Sequence, residues 1–292
     1  MDYFDLDGNF ITEKNSQDRA LSFLYTTPAG SLLLGGLVHP SVSRLAGRFL
    51  SASLSKPLIS AFIKRNSLDL SDYEKTEYTC FNDFFTRKIK KERRPICPEP
   101  NALISPCDCR ASVYPIHASS VFTIKNTSYT LASLLHSHRL ADRFRGGYAF
   151  LLRLTVEDYH RYVFSASGRL SKTYHIDGIL HTVNPVANDH YPIYKENTRE
   201  YCVIHSEILG DILQMEVGAM LVGKIKNHSK HAYATRGEEK GYFEYGGSTI
   251  VVLTTGESVA PRSDLLIHTS QNYETKILQG QPLGYRIPSS TK

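Results

Sequence analysis

The sequence predicts an α+β protein: a β-rich domain over residues 76–292 behind an N-terminal helical segment over residues 1–75. Three observations carry the prediction. From about Leu103 onward, short alternating or wholly apolar runs recur between clusters of Gly, Pro, Asn and Asp, the pattern of strands and turns. Between Pro40 and Asn66, apolar residues recur instead at helical spacing. The 292 residues, 41% hydrophobic and 22% charged, show no internal repeat and no low-complexity linker, so one domain with an appendage accounts for the length.

The chain opens Met-Asp-Tyr-Phe-Asp-Leu-Asp, acidic where a secretory leader is basic, so no leader is expected. The longest apolar run, Ala29 to Val38, has ten residues and ends at His39-Pro40. A membrane-spanning helix needs about 20, so the protein is expected to be soluble or peripheral. Val42, Leu45, Phe49 and Ala52, then Leu54, Leu58, Ile59, Phe62 and Ile63, lay out two short amphipathic helices. They divide at Lys56-Pro57, where proline suits a helix start. With Arg44, Arg48 and Lys56 among them, the stripe has two uses: packing on the domain's core, or lying in an anionic membrane interface.

Six Lys or Arg residues then crowd positions 87–94, inside Phe81 to Ile96. Such a run is a solvated face or a seat for phospholipid headgroups. It lacks the interleaved aromatics that stack on single-stranded nucleic acid, so no nucleic-acid partner is expected. The net charge of +5 and pI near 8.8 fit anionic partners without choosing among them.

Strand candidates follow as ASVYPI, FTIKN, YAFLLRLTV, EYCVIHSEI, ILQMEVGAMLVGKI and STIVVL, with Thr130 to Phe144 a helical interruption. The five cysteines are odd in number, and Cys107-x-Cys109 is tighter than a CxxC zinc knuckle. They read as reduced thiols, and no metal is expected.

Polar residues gather in three places. Ser105-Pro-Cys-Asp108-Cys-Arg110 is a proline-turned loop presenting one carboxylate. Glu157 to Tyr162 closes an apolar strand with a dense polar cluster around His160. Gly246-Gly247-Ser248-Thr249 puts two glycines before a buried-looking strand. Alone, each is an ordinary turn or cap.

Together they resemble the phosphatidylserine decarboxylase family. FFTRKIKKERRPI is similar to that family's FFxRxLKxxxRPI, SPCDCR to its SPxDG, and DYHR matches outright. LHTVNP, from Leu180 to Pro185, resembles FSVNP, and NTREY, from Asn197 to Tyr201, resembles the NxR segment. VGAMLVGKI, from Val217 to Ile225, is similar to VGAxxVGxI, and GEEKGYFEYGGST, from Gly237 to Thr249, to KGxExGxFxxGST. The likeness runs in family order from Phe81 to Leu253.

The resemblance implies a self-cleaving proenzyme whose Ser248 becomes a pyruvoyl group. Ser248 Oγ would attack the Gly247 carbonyl, turning amide into ester; elimination and hydrolysis would then release ammonia and leave the pyruvoyl. Gly246-Gly247 gives the backbone the freedom this attack needs. His160 is the implied base, Asp108 the carboxylate that orients it, and Thr249 a helper for the oxyanion. The products, residues 1–247 and 248–292, would stay associated, and a homodimer is compatible. In turnover the pyruvoyl ketone would engage the substrate amine and act as electron sink while CO2 leaves, with no diffusible cofactor.

Two positions depart from the family pattern. Many members read DYHRxH, and the second histidine is replaced here by Val163. Either His160 then serves both maturation and turnover, or another group supplies the proton; His181, in LHTVNP, is the second candidate. Cys109 stands where SPxDG has glycine and touches loop shape more than chemistry. The implied reaction is phosphatidylserine to phosphatidylethanolamine, by a peripheral protein on an anionic surface, the cytoplasmic face of the cell membrane. Two alternatives remain open at this point: a pyruvoyl-dependent decarboxylase of a soluble amino acid, and a non-maturing relative that acts as a binding protein.

Overall fold

Prolines start the N-terminal helices. In a computed structural model, which describes every residue except 1, 13–15, 125–126, 189, 220–223, 229–231, 247, 257 and 289–292, helices Pro28–Leu37, Pro40–Leu50 and Pro57–Asn66 each open on proline. The first helical position needs no N–H, and proline's φ is already set for it. Thr27 Oγ1 caps the first by accepting from Gly30 N at 3.0 Å, and His39 Nδ1 caps the second from Ser41 N at 3.2 Å. The division at Lys56-Pro57 falls where the sequence put it, and a further helix, Ser16–Thr26, comes first.

The segment is not helical throughout. Tyr3–Phe4 and Phe10–Ile11 form a small hairpin, and Tyr3–Phe4 pairs in parallel with Glu274–Ile277 of the main sheet. The boundary drawn at residue 75 therefore divides a shared sheet. Two-residue strands carry no period that a sequence reading could detect.

The β-rich domain is built on an 11-stranded sheet. Its middle runs Arg199–Ser206, Gly210–Val217, Ser248–Thr254, Tyr148–Leu154, Cys109–Pro115 and Glu274–Ile277, each antiparallel to the next. Both faces are covered, which is why these strands read as unbroken apolar runs. On one face Val251 and Leu253 join Leu151, Met215 and the helices Leu131–Leu135 and His138–Arg143. On the other, Ile250 and Val252 join Phe150, Leu152, Tyr162 and Phe243 beneath two three-stranded sheets. One of these combines Arg161–Val163, Ile225–Asn227 and Glu239–Phe243. The other combines Ala102–Ile104, Val259–Pro261 and Pro282–Arg286.

Part of the N-terminal segment docks through a separate aromatic cluster, in which Leu50 and Ile59 meet Tyr78, Phe81, Phe84 and Phe85. The fold is α+β and sheet-dominated. Among the described residues, no helix is long and apolar enough to cross a membrane.

Candidate active site

Strand alternation decides where Ser248 points. It opens the central strand and shares the parity of Ile250 and Val252, so its side chain lies on the face under the small sheets. Ser248 is fully buried, and among the described residues its Oγ has no hydrogen-bond partner. Leaving a buried hydroxyl unpaired costs about 1–3 kcal/mol, so each such group calls for an explanation. Two residues earlier, Gly246 has a φ of +133°, a conformation that side-chain-bearing residues rarely take. Gly247, the other half of the expected cleavage bond, lies outside the described residues.

Thr249 has the opposite parity. With Val251 and Leu253 it faces the helix-covered side, across from Arg153. The pleat thus carries its hydroxyl away from Ser248 Oγ, and the side-chain oxyanion role expected of Thr249 does not match that direction.

His160 immediately precedes the Arg161–Val163 strand, fully buried against Phe85, with ring centroids 4.1 Å apart. Its Nδ1 lies 2.9 Å from the main-chain oxygen of Asp158. A carbonyl only accepts, so Nδ1 carries the proton and Nε2 keeps its lone pair. Nε2 has no partner. Burial holds the imidazole down to about 3, with the Arg87 cation adding to the effect and the Asp158 carbonyl opposing it. The ring is therefore neutral at pH 7, with its base nitrogen bare.

The orienting role expected of Asp108 is filled here by the Asp158 carbonyl. Asp108 instead accepts from Arg94 Nε at 2.7 Å, from Arg94 Nη2 on its second oxygen, and from Gln279 N at 2.9 Å. Among the described residues, no hydrogen bond joins it to His160. The proline-turned loop explains the direction. Gln279 Nε2 donates to Pro106 O at 3.1 Å and Arg161 O at 2.9 Å, pinning the loop with its carboxylate toward Arg94.

His181 belongs to another network. Its Nδ1 meets Tyr25 Oη at 3.2 Å, its Nε2 faces Glu196 at 3.4 Å, and its ring stacks on Tyr191. Burial lowers it to about 4. Val163 packs with Ala102 and Ile104, on the opposite side of its strand from Tyr162. A side chain at 163 therefore faces away from the layer beneath which Ser248 lies.

Four residues around the candidate site escaped the sequence reading: Arg94, Gln279, Asn82 and Phe85. Of the basic run, Arg87 and Arg94 turn inward while Lys88, Lys90, Lys91 and Arg93 stay exposed. Ile89, an apolar residue between two lysines, was the available sign that the run alternates in direction over residues 87–90. Asn82 Oδ1 accepts from Tyr245 N at 3.1 Å, and its Nδ2 donates to Ser51 Oγ at 2.8 Å. Tyr245 packs on Phe85, its ring centroid 5.1 Å away, so the short helix Phe81–Phe85 walls the turn that leads into Ser248.

A buried serine opening a strand, and a neutral imidazole whose proton is held on Nδ1, supply the residue types of a nucleophile and its base. Comparison with known proteins supplies the family. Residues 81–285 match the family described as phosphatidylserine decarboxylase. The chain is 42% identical over 273 residues to "Phosphatidylserine decarboxylase proenzyme 2" of Clostridium acetobutylicum, covering 93% of this chain and 94% of that one. It is 36% identical over 282 residues to a phosphatidylserine decarboxylase proenzyme of Clostridium botulinum, covering 94% and 96%. Identity to the Clostridium kluyveri proenzyme is 37% over 280 residues, covering 94% and 95%. The chain belongs to the phosphatidylserine decarboxylase family.

Proposed function

We propose that the chain is a proenzyme that cleaves itself before Ser248 and then converts phosphatidylserine to phosphatidylethanolamine with the pyruvoyl group formed there. The observation that carries this reading is a pair of buried, unpartnered atoms, Ser248 Oγ and His160 Nε2, at the family's nucleophile and base positions. Those residues fit the group, which would take the place of residue 248 at a buried strand start. When present it supplies a carbonyl that engages the substrate amine and accepts the electrons left by departing CO2.

The rest falls to this chain's own side chains. His160 Nε2 takes the Ser248 hydroxyl proton, and the Asp158 carbonyl keeps that nitrogen bare. The same nitrogen returns a proton in turnover, a role supported by Val163 facing away and by Tyr25 engaging His181. The fragments stay together because the 248–254 strand is hydrogen-bonded on both edges, to Gly210–Val217 and Tyr148–Leu154.

The lipid substrate is supported by the N-terminal helices. Val42, Leu45 and Phe49 of the predicted stripe point outward, joined by Leu54 at 79% exposure and Leu32 at 83%. Arg44, Arg48 and Lys56 are exposed among them. Apolar side chains rimmed by cations suit an anionic bilayer surface, and they support a peripheral position on the cytoplasmic face of the cell membrane.

Intact mass under denaturing conditions tests the reading. The expected species are residues 1–247 and a 248–292 fragment with a blocked N-terminus, whereas Ser248→Ala stays one chain of 32.9 kDa. Cleavage in that variant overturns the mechanism. CO2 release from a free amino acid but not from phosphatidylserine vesicles would move the substrate to the soluble class.

A further inference from the structure

Lys240 points the wrong way for its strand. In Glu239–Phe243, Phe243 packs inward on the Ser248 face, while Tyr242 lies outward beneath the Arg161 guanidinium at 4.9 Å. Gly241 is inward again, so regular alternation would turn Lys240 out to water. It is instead 3% exposed. The ladder with Arg161–Val163 gives the reason. Gly241 pairs with Tyr162 and Glu239 with the next residue, Val163, which leaves Lys240 as the extra residue of a β-bulge. Such a bulge disrupts the ladder locally and re-aims a side chain.

Lys240 is aimed at Glu216, which is fully buried on the main sheet. Glu216 pairs with Ile250 and Gln214 with Val252, so both share the face onto which Ser248 points. Glu216 Oε2 accepts from Lys240 Nζ and from Asn227 Nδ2 at 3.2 Å, and its Oε1 accepts from Gln214 Nε2 at 3.3 Å. Lys240 Nζ also donates to Asn227 Oδ1 at 2.7 Å. Gln214 reaches the strand of His160 as well, donating to Val163 O and accepting from Ser165 N, each at 3.1 Å. A buried ion pair is often no more stabilising than apolar residues of the same volume, and its best-attested use is to specify register.

Register matters here because the strand leads to the proposed chemistry in two directions. Phe243 N donates to His160 O at 3.0 Å, and the chain runs on from Phe243 through the glycine turn to Ser248. The place of the extra residue therefore fixes which residue holds His160 and how much chain remains to reach Ser248. A slip by one would take Phe243 from His160 and change the length of that turn.

We propose that Lys240 and Glu216 are positioning residues for self-cleavage: their buried pair locks the bulge, and with it the register that relates His160 to Ser248. The inference rests on the reading of Ser248 and His160 given above. In the step concerned, Ser248 Oγ bonds to the residue 247 carbonyl carbon and the 247–248 amide bond breaks. The hydroxyl proton passes through His160 Nε2 to the departing nitrogen.

The test joins two measurements on Lys240→Met with Glu216→Leu, which removes both charges and leaves apolar side chains in their place. The 248–292 fragment, followed with time after cell-free synthesis of the full chain, should appear about tenfold to a hundredfold more slowly, the scale of a misplacement by about 1 Å. In the Ser248→Ala background, where thermal unfolding reports folding, amide exchange should quicken at Phe243 and not at Val251 in the central strand. Wild-type cleavage in the double change would overturn the proposal. So would slow cleavage with exchange at Phe243 unaltered, or with exchange quickened equally at both amides, which is a general loss of stability. Should the double change fail to fold, Glu216→Gln, which keeps the shape and removes one charge, is read by the same measurements and the same outcomes overturn it. A wild-type chain that never cleaves overturns instead the reading of Ser248 and His160.

Discussion

The Nδ1–H of His160 is committed to the Asp158 carbonyl, and the loop that presents this carbonyl is itself tied down. Thr155 donates to Asp158 Oδ2 through both N and Oγ1 at 2.7 Å. The base tautomer is therefore a consequence of a main-chain turn. The same burial makes His160 a liability in acid. Its folded pKa is lowered from 6.5 to about 3, so on acidification the unfolded chain binds the proton first. In uncleaved Ser248→Ala protein, stability should fall as pH drops from about 6.5 toward 3. Asp158, raised from 3.8 to about 6, works the other way: its contribution is present below 3.8 and lost as pH rises through 6. A comparison of variants isolates the histidine. Denaturant midpoints measured against pH should show a shallower acid loss in His160→Asn than in its parent, and parallel curves would count against a buried neutral imidazole.

At the scale of elements, the helix Phe81–Phe85 joins two parts of the molecule that sequence separates. Through Asn82 it holds Ser51, which caps the end of helix Pro40–Leu50, and Tyr245 in the turn before Ser248. Its phenylalanines fill the cluster between them, each fully buried ring contributing about 1.5–3 kcal/mol. Asn82→Ala would leave the Tyr245 N–H without its partner, at a cost of about 1–3 kcal/mol. The expected outcome is a lower denaturant midpoint together with slower fragment release, because the glycine turn loses its anchor. Unchanged fragment release would show that the turn holds its shape without Asn82. The central strands and the helices at Pro40 and Pro57 were legible as apolar runs and proline-started stripes. The hairpin at Tyr3–Phe4 and Phe10–Ile11 was not, because its pairing with Glu274–Ile277 spans nearly the whole chain.

Across the whole molecule, the N-terminal helices divide their apolar residues between two surroundings. Leu50 and Ile59 pack inward, whereas Leu45, Phe49 and Leu54 stay exposed at 69%, 50% and 79%. That division fits the proposal that the segment docks on its own domain with one face and on a bilayer with another. Burying each large apolar side chain in a membrane interface is worth up to about 1.5–3 kcal/mol. Leu45→Asp with Phe49→Asp should therefore abolish flotation with phosphatidylserine-containing vesicles while self-cleavage proceeds as before. Undiminished flotation would remove this face from the membrane reading.

What the sequence determined by itself was chiefly local and periodic. The strand runs, the proline-started helices, the glycine turn before Ser248 and the DYHR cluster all lie within short windows where residue type dictates conformation. The family likeness added the proposed nucleophile, Ser248, and its proposed base, His160. Only the tertiary structure decided what those residues touch. Asp108 meets Arg94 and not His160 because a distant glutamine, Gln279, turns the loop. Thr249 leaves Ser248's side because the pleat has a period of two. The basic run splits inward and outward because Arg87 and Arg94 meet the domain while Lys88, Lys90, Lys91 and Arg93 meet water. Pairings of that kind join residues far apart in the chain, and no spacing within a short window encodes them.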